Sequence, residues 1–169
     1  MAVETLKSAG ITNRDAAPPV LNTAGREGGA SQLFEVNDGI ATMPASASIG
    51  STVRCVSVPS NAVVSSVKLH SGAQTAGAFD IGVYRNTRDG GAVVDADFFG
   101  SAVSVASAVL GTEVSEESTV YTIAKQKQPL WQAVGLSVDP GGELDIVATA
   151  TTAVTTGLAA FALRVQYKL

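Results

Sequence analysis

From Gly39 onward the chain is written in short apolar runs broken by turn residues, at the spacing of a β-sandwich or barrel. Ile40 to Met43 opens the series and Thr52 to Val58 follows. Val63 to His70 alternates, with Val63, Val67 and Leu69 on one face and Val64, Ser66, Lys68 and His70 on the other. Phe79, Ile81 and Val83 share a face of the next strand, which ends at Asn86-Thr87-Arg88-Asp89-Gly90-Gly91. Phe98 to Val105, Val120 to Ile123 and Gly135 to Val138 read as further strands. The last of these stops at Asp139-Pro140-Gly141-Gly142, where Pro fixes its own φ and Gly tolerates positive φ. Leu144, Ile146 and Ala148 alternate with Asp145, Val147 and Thr149. In the final strand Phe161, Leu163, Val165 and Tyr167 oppose Ala162, Arg164, Gln166 and Lys168.

Helical periodicity is nearly absent; Pro129 to Val134 predicts one turn, with Pro129 at its start. The expectation is an all-β chain: a jelly-roll-like antiparallel sandwich of about eight strands at residues 39–169. An immunoglobulin-like sandwich is the second choice, without the cysteine pair of antibody domains.

Residues 1–38 differ. Asn13 to Val20 contains Pro18-Pro19, which is extended because Pro19 moves Pro18 out of the helical region. Thr23 to Ala30 carries three glycines. The apolar residues here keep neither helical nor strand period, and a solvated tail would be more charged. The segment is therefore read as an extended N-terminal arm that orders on a partner, through Leu6, Ile11, Pro18, Pro19, Val20 and Leu21.

Composition narrows the chemistry. The 169 residues include 26 Ala and 22 Val, with hydrophobic residues at 46% and charged residues at only 15%. A chain of that length and apolarity can bury a core without metal or disulfide. Net charge is −4, and no cluster of Lys or Arg is denser than Lys125 with Lys127, so neither a nucleic-acid stripe nor a polybasic membrane anchor is expected. The first seven residues lack the apolar core of a signal peptide, and a chain made in a reducing cytosol is expected. Ile146 to Leu163 is uncharged and span-length, but its five Thr and its alternation favour strands.

One His and one Cys leave little for acid–base or nucleophilic work. Cys55, flanked by Val53 and Val56 in an apparent strand, reads as a small core residue. An EF-hand loop starting at Asp95-Ala96-Asp97 would need Glu at its twelfth position, where Ala106 stands. Glu113, Glu116 and Glu117 would suggest a carboxylate pair, but turn-formers surround them. A hydrolase requires that Asp95, Asp97, Glu113 or Glu116 converge with His70. Trp131, with Tyr84, Tyr121 and Tyr167, either stacks on a sugar ring or plugs one end of the core. No catalytic residue and no cofactor are expected.

Four stretches carry a resemblance. They are Val58 to Leu69, Asp80 to Tyr84, Val93 to Phe99, and Leu130-Trp131 through Gly135-Leu136 to Asp139-Pro140. The chain resembles the jelly-roll cement, or decoration, proteins encoded with the capsid genes of tailed bacteriophages and prophages. That resemblance implies a homotrimeric structural protein clamped on the outside of a phage head, with the major capsid protein as partner. A receptor- or glycan-binding module of a tail or fibre is the alternative.

Overall fold

In the computed structural model, residues 32–43, 47–74, 77–154 and 159–169 are described. The sandwich forms a compact unit, Leu33–Leu169. The arm positions Leu6, Ile11, Pro18, Pro19, Val20 and Leu21 lie outside the described residues.

Nine strands follow in order: β1 Leu33–Val36, β2 Ala41–Met43, β3 Thr52–Pro59, β4 Val63–Ser71, β5 Ala78–Arg85, β6 Val93–Ser104, β7 Val109–Glu113, β8 Glu143–Ala150 and β9 Ala159–Lys168. They form two antiparallel sheets, β1-β9-β4-β7 with β2 also on β9, and β3-β8-β5-β6. β1 and β2 are two halves of one edge strand, both paired to β9. Counted that way, the first strand pairs with the eighth, the second with the seventh, the third with the sixth and the fourth with the fifth. Nested hairpins rolled into two facing sheets are a jelly roll, as the alternation predicted. β1 falls inside the span read as arm, because four residues of exposed, aperiodic sequence pair with the end of β9.

Between the sheets the inward residues interdigitate. Phe79 on β5 meets Phe161 on β9 with ring centroids 5.1 Å apart. Both are fully buried, as are Leu69, Ile81, Leu144, Ile146 and Leu163. Each such side chain contributes about 1.5–3 kcal/mol by leaving water.

Three local readings change. The register of β4 shifts between Val64 and Ser66, so Val64 rather than Val63 joins Val67 and Leu69 in the core. Val120 to Ile123 and Gly135 to Val138 are not strands; they belong to the segment joining β7 to β8. There Tyr121 turns inward and donates its hydroxyl proton to Val64 O, which a strand position would not allow. Gly135, at φ +85°, ends the one-turn helix α1, Leu130–Ala133, that begins after Pro129. Conversely, Val109–Glu113 is a strand that alternation hides, because Gly111 at φ +75° interrupts it where the β4–β7 register shifts.

Candidate functional site

The carboxylates singled out in the sequence are spread over the sandwich and engaged in holding it. Glu113 stands where β7 leaves its sheet. Its carboxylate accepts from Ser66 Oγ, from Val67 N at 2.9 Å, from Ser115 Oγ at 2.6 Å and from Ser115 N. Partial burial pushes this carboxyl up, but the four donors outweigh it and leave it below its ordinary value. Glu117 accepts from Ser101 N at 2.6 Å, and Glu116 from the Gln126 side chain. Asp80 accepts from Ala102 N at 2.7 Å, pinning a non-glycine residue at φ +52° in a bulge of β6.

Asp95 and Asp97 are side by side on β6. Burial first, and then the hydrogen bond with Asp97, raise the Asp95 carboxyl. Among the described residues no three His, Cys, Asp or Glu side chains gather as a metal ion would require. Burial pushes the Cys55 thiol up to about 12, and the thiol donates to Val53 O at 3.3 Å; it is an inert core residue.

His70 lies on the outer face of β4, as alternation placed it, in register with Ala162 and Leu110. A Cβ on Gly111 would come within 3.3 Å of its ring. Its Nε2 is buried without a hydrogen-bond partner, and the carboxylates named above are all engaged elsewhere. The structure does not bring His70 together with Asp95, Asp97, Glu113 or Glu116 as a hydrolase would need.

The aromatic residues do not make an open stacking surface. Tyr84 and Tyr121 are buried, Tyr121 in a cluster with Phe98 and Phe99 at 5.2 and 5.1 Å. Tyr167 stacks on Phe34. Trp131 is half-buried against the core, which is the plug reading.

What remains is surface. The four-stranded sheet carries a polar network on its outer face. Arg54 Nη1 donates to Asp145 Oδ2 at 2.7 Å and to Arg85 O at 2.9 Å, and Nη2 donates to Gly91 O at 2.8 Å. Its guanidinium also lies over Tyr84, whose hydroxyl is 2.6 Å from Thr149 Oγ1. Sequence reading missed Arg54 because its partners lie up to 91 residues away. At the sandwich edge, Ser57 N donates to Asp38 Oδ2 at 2.9 Å, which occupies an otherwise open strand edge.

One end of the sandwich is closed by residues 114–142. Leu130 N donates to Ala62 O and Trp131 N to Ser60 O, so α1 sits on the β3–β4 turn. Ser60 Oγ donates to Asp139 Oδ1 at 2.6 Å, and Gly141 N donates to the same oxygen. Those two donors hold the Asp139 carboxyl below its ordinary value. This end is a fixed platform built by tertiary hydrogen bonds.

The fold is a jelly roll in which Glu113, Glu116 and Glu117 accept hydrogen bonds from the protein's own scaffold. No protein-family model matches the chain, and no curated protein matches it. Among solved structures the chain is similar to a chain of the cyanophage Pam1 capsid asymmetric unit. The TM-score is 0.51 at 15% identity, over 92% of this chain and 96% of that one. The shared feature is the fold. Among the described residues no helix is long and apolar enough to cross a membrane.

Proposed function

We propose that this chain is a structural protein of a bacteriophage virion, one that decorates and stabilises the capsid by bridging neighbouring capsid subunits. The observation that carries the reading is the fold likeness, over 92% of this chain, to a chain of a capsid asymmetric unit. The match covers 96% of that chain, so the counterpart is a whole small chain and not a domain cut from a larger subunit.

Physics suits such a role. A cement protein adds contact area at junctions strained by internal pressure. Each copy needs only a modest interface, because multivalent attachment turns later contacts into effectively intramolecular ones. In this reading the protein is a homotrimer on the outer surface of the head, its partner is the major capsid protein, and it is made in the host cytoplasm. The arm, with Leu6, Ile11, Pro18, Pro19, Val20 and Leu21, wraps the lattice or a sister subunit, its extended backbone suited to a strand edge.

Co-sedimentation of the purified chain with empty heads of the phage that encodes it tests this. Saturable binding at a fixed ratio to capsid subunits is expected; a chain left in the supernatant contradicts it. Deleting residues 2–20 should leave the sandwich folded and lower occupancy, and full occupancy without them would remove the arm's role.

A further inference from the structure

We propose, resting on the capsid reading above, that the sandwich stands on the shell by one end, the end closed by residues 114–142. The observation is how exposed apolar side chains are distributed. Among the described residues nine large hydrophobics are exposed, and six of them are Leu33, Phe34, Val93, Ile123, Val138 and Leu169.

Topology puts these six at the same end. Leu33 pairs with Lys168, next to Leu169, and Lys168 pairs with Val63 at the start of β4. Phe34 is one residue further in, stacked on Tyr167. Val93 opens β6 opposite Tyr84, beside the pairing of Arg85 with Leu144 and of Leu144 with Val58. The turn from β3 to β4 is short, which places those residues level with Val63. Ile123 lies between Tyr121, bonded to Val64 O, and Leu130, bonded to Ala62 O. Val138 precedes Asp139, bonded to Ser60. The other three lie away from it: Ile49, in the β2–β3 connection, Leu110, near the start of β7, and Ile40, just before Ala41, which pairs with Phe161.

Two further facts choose the occupant. Residues 1–32 join the sandwich at Leu33, so the segment proposed to run along the lattice departs from this end. The end is also held rigid by α1 and by the Ser60–Asp139 bond, so little ordering entropy is lost when a partner covers it. Apolar side chains gathered at one end that its own hydrogen bonds hold in place fit a protein surface with complementary apolar hollows, the shell subunit, better than a polyanion.

Matched double variants test it. Ile123→Lys with Val138→Lys charges the platform, and Ile49→Lys with Leu110→Lys charges the far end. All four positions are at least 69% exposed, so neither variant should change the unfolding transition. Against empty heads of the encoding phage, the platform variant should bind roughly tenfold more weakly or worse, and the far-end variant like wild type. Heads that take up the platform variant normally overturn the orientation while leaving the capsid reading standing, and so does a loss confined to the far-end variant. If wild type itself does not bind, the capsid reading fails and this inference with it.

Discussion

The two sheets use their outer faces differently. On the five-stranded sheet the outward charged residues of β4 and β9 keep contact with solvent: Lys68 opposite Arg164, and Arg164 3.4 Å from Glu35 with both side chains nearly half exposed. On the four-stranded sheet the outward residues of β8 are covered. Val147 is fully buried and Asp145 nearly so, under Arg54 and beside Tyr84. Sheets with one wet face show clean alternation, and sheets covered on both faces lose it. One sheet is therefore held chiefly by what lies beneath it, the other also by what lies across it.

The largest test of that contrast is Gly82→Ala, on the covered sheet. A Cβ there would sit 2.2 Å from Ala96 O, where the bulged β6 crosses close to β5. Backbone must move, and a loss of about 3 kcal/mol or more in urea unfolding, or failure to fold, is expected. An Ala variant as stable as wild type would mean that β6 does not approach β5 in this way.

Next is Arg54→Ala, which takes the cation from the near-buried Asp145, leaving it the Ser57 hydroxyl as a donor, and releases two carbonyls of the β5–β6 hairpin. Because the arginine is itself about one-third exposed, about 2–3 kcal/mol is expected, below the full cost of breaking a buried pair. Replacing Asp145 with Asn at the same time should recover part of it, as a double-mutant cycle would show.

A smaller effect, about 1 kcal/mol at neutral pH, is expected for Glu113→Gln, discounted for exposure. Its sign with pH is fixed. The folded carboxyl lies below its ordinary value of 4.5, so its contribution is present above that pH and is lost as pH falls through the lower folded value. Asp95, raised in the fold, acts oppositely, its folded form gaining as pH falls. Thermal melts of wild type and Glu113→Gln should thus converge toward pH 3 and separate at pH 7; a constant gap would contradict the hydrogen-bond account.

The smallest effect is Arg164→Ala on the open face, within about 0.5 kcal/mol. A loss as large as that of Arg54→Ala would erase the difference between the sheets.

How far the fold could be read from sequence follows the same line. β9 was legible because Arg164 faces water while Phe161, Leu163 and Val165 do not. β5 and β8 were also found by alternation, but Asp145, on an apparently polar face, is in fact buried beneath an arginine that is distant in sequence. β7 was lost to Gly111, and Val120 to Ile123 was mistaken for a strand because its apolar residues serve an end-cap and not a sheet. Candidate chemistry was weighed residue by residue in the sequence, yet only coordinates reveal that Glu113, Glu117 and Asp80 are spent on backbone amides. Contacts of that kind have no local signature.

The proposed function is reinforcement of a capsid shell through contact area. The direct measurement is the temperature at which heads rupture, with and without the bound chain. Occupied heads should rupture several degrees higher, with the gain rising in proportion to occupancy. Identical rupture temperatures at full occupancy would contradict the account.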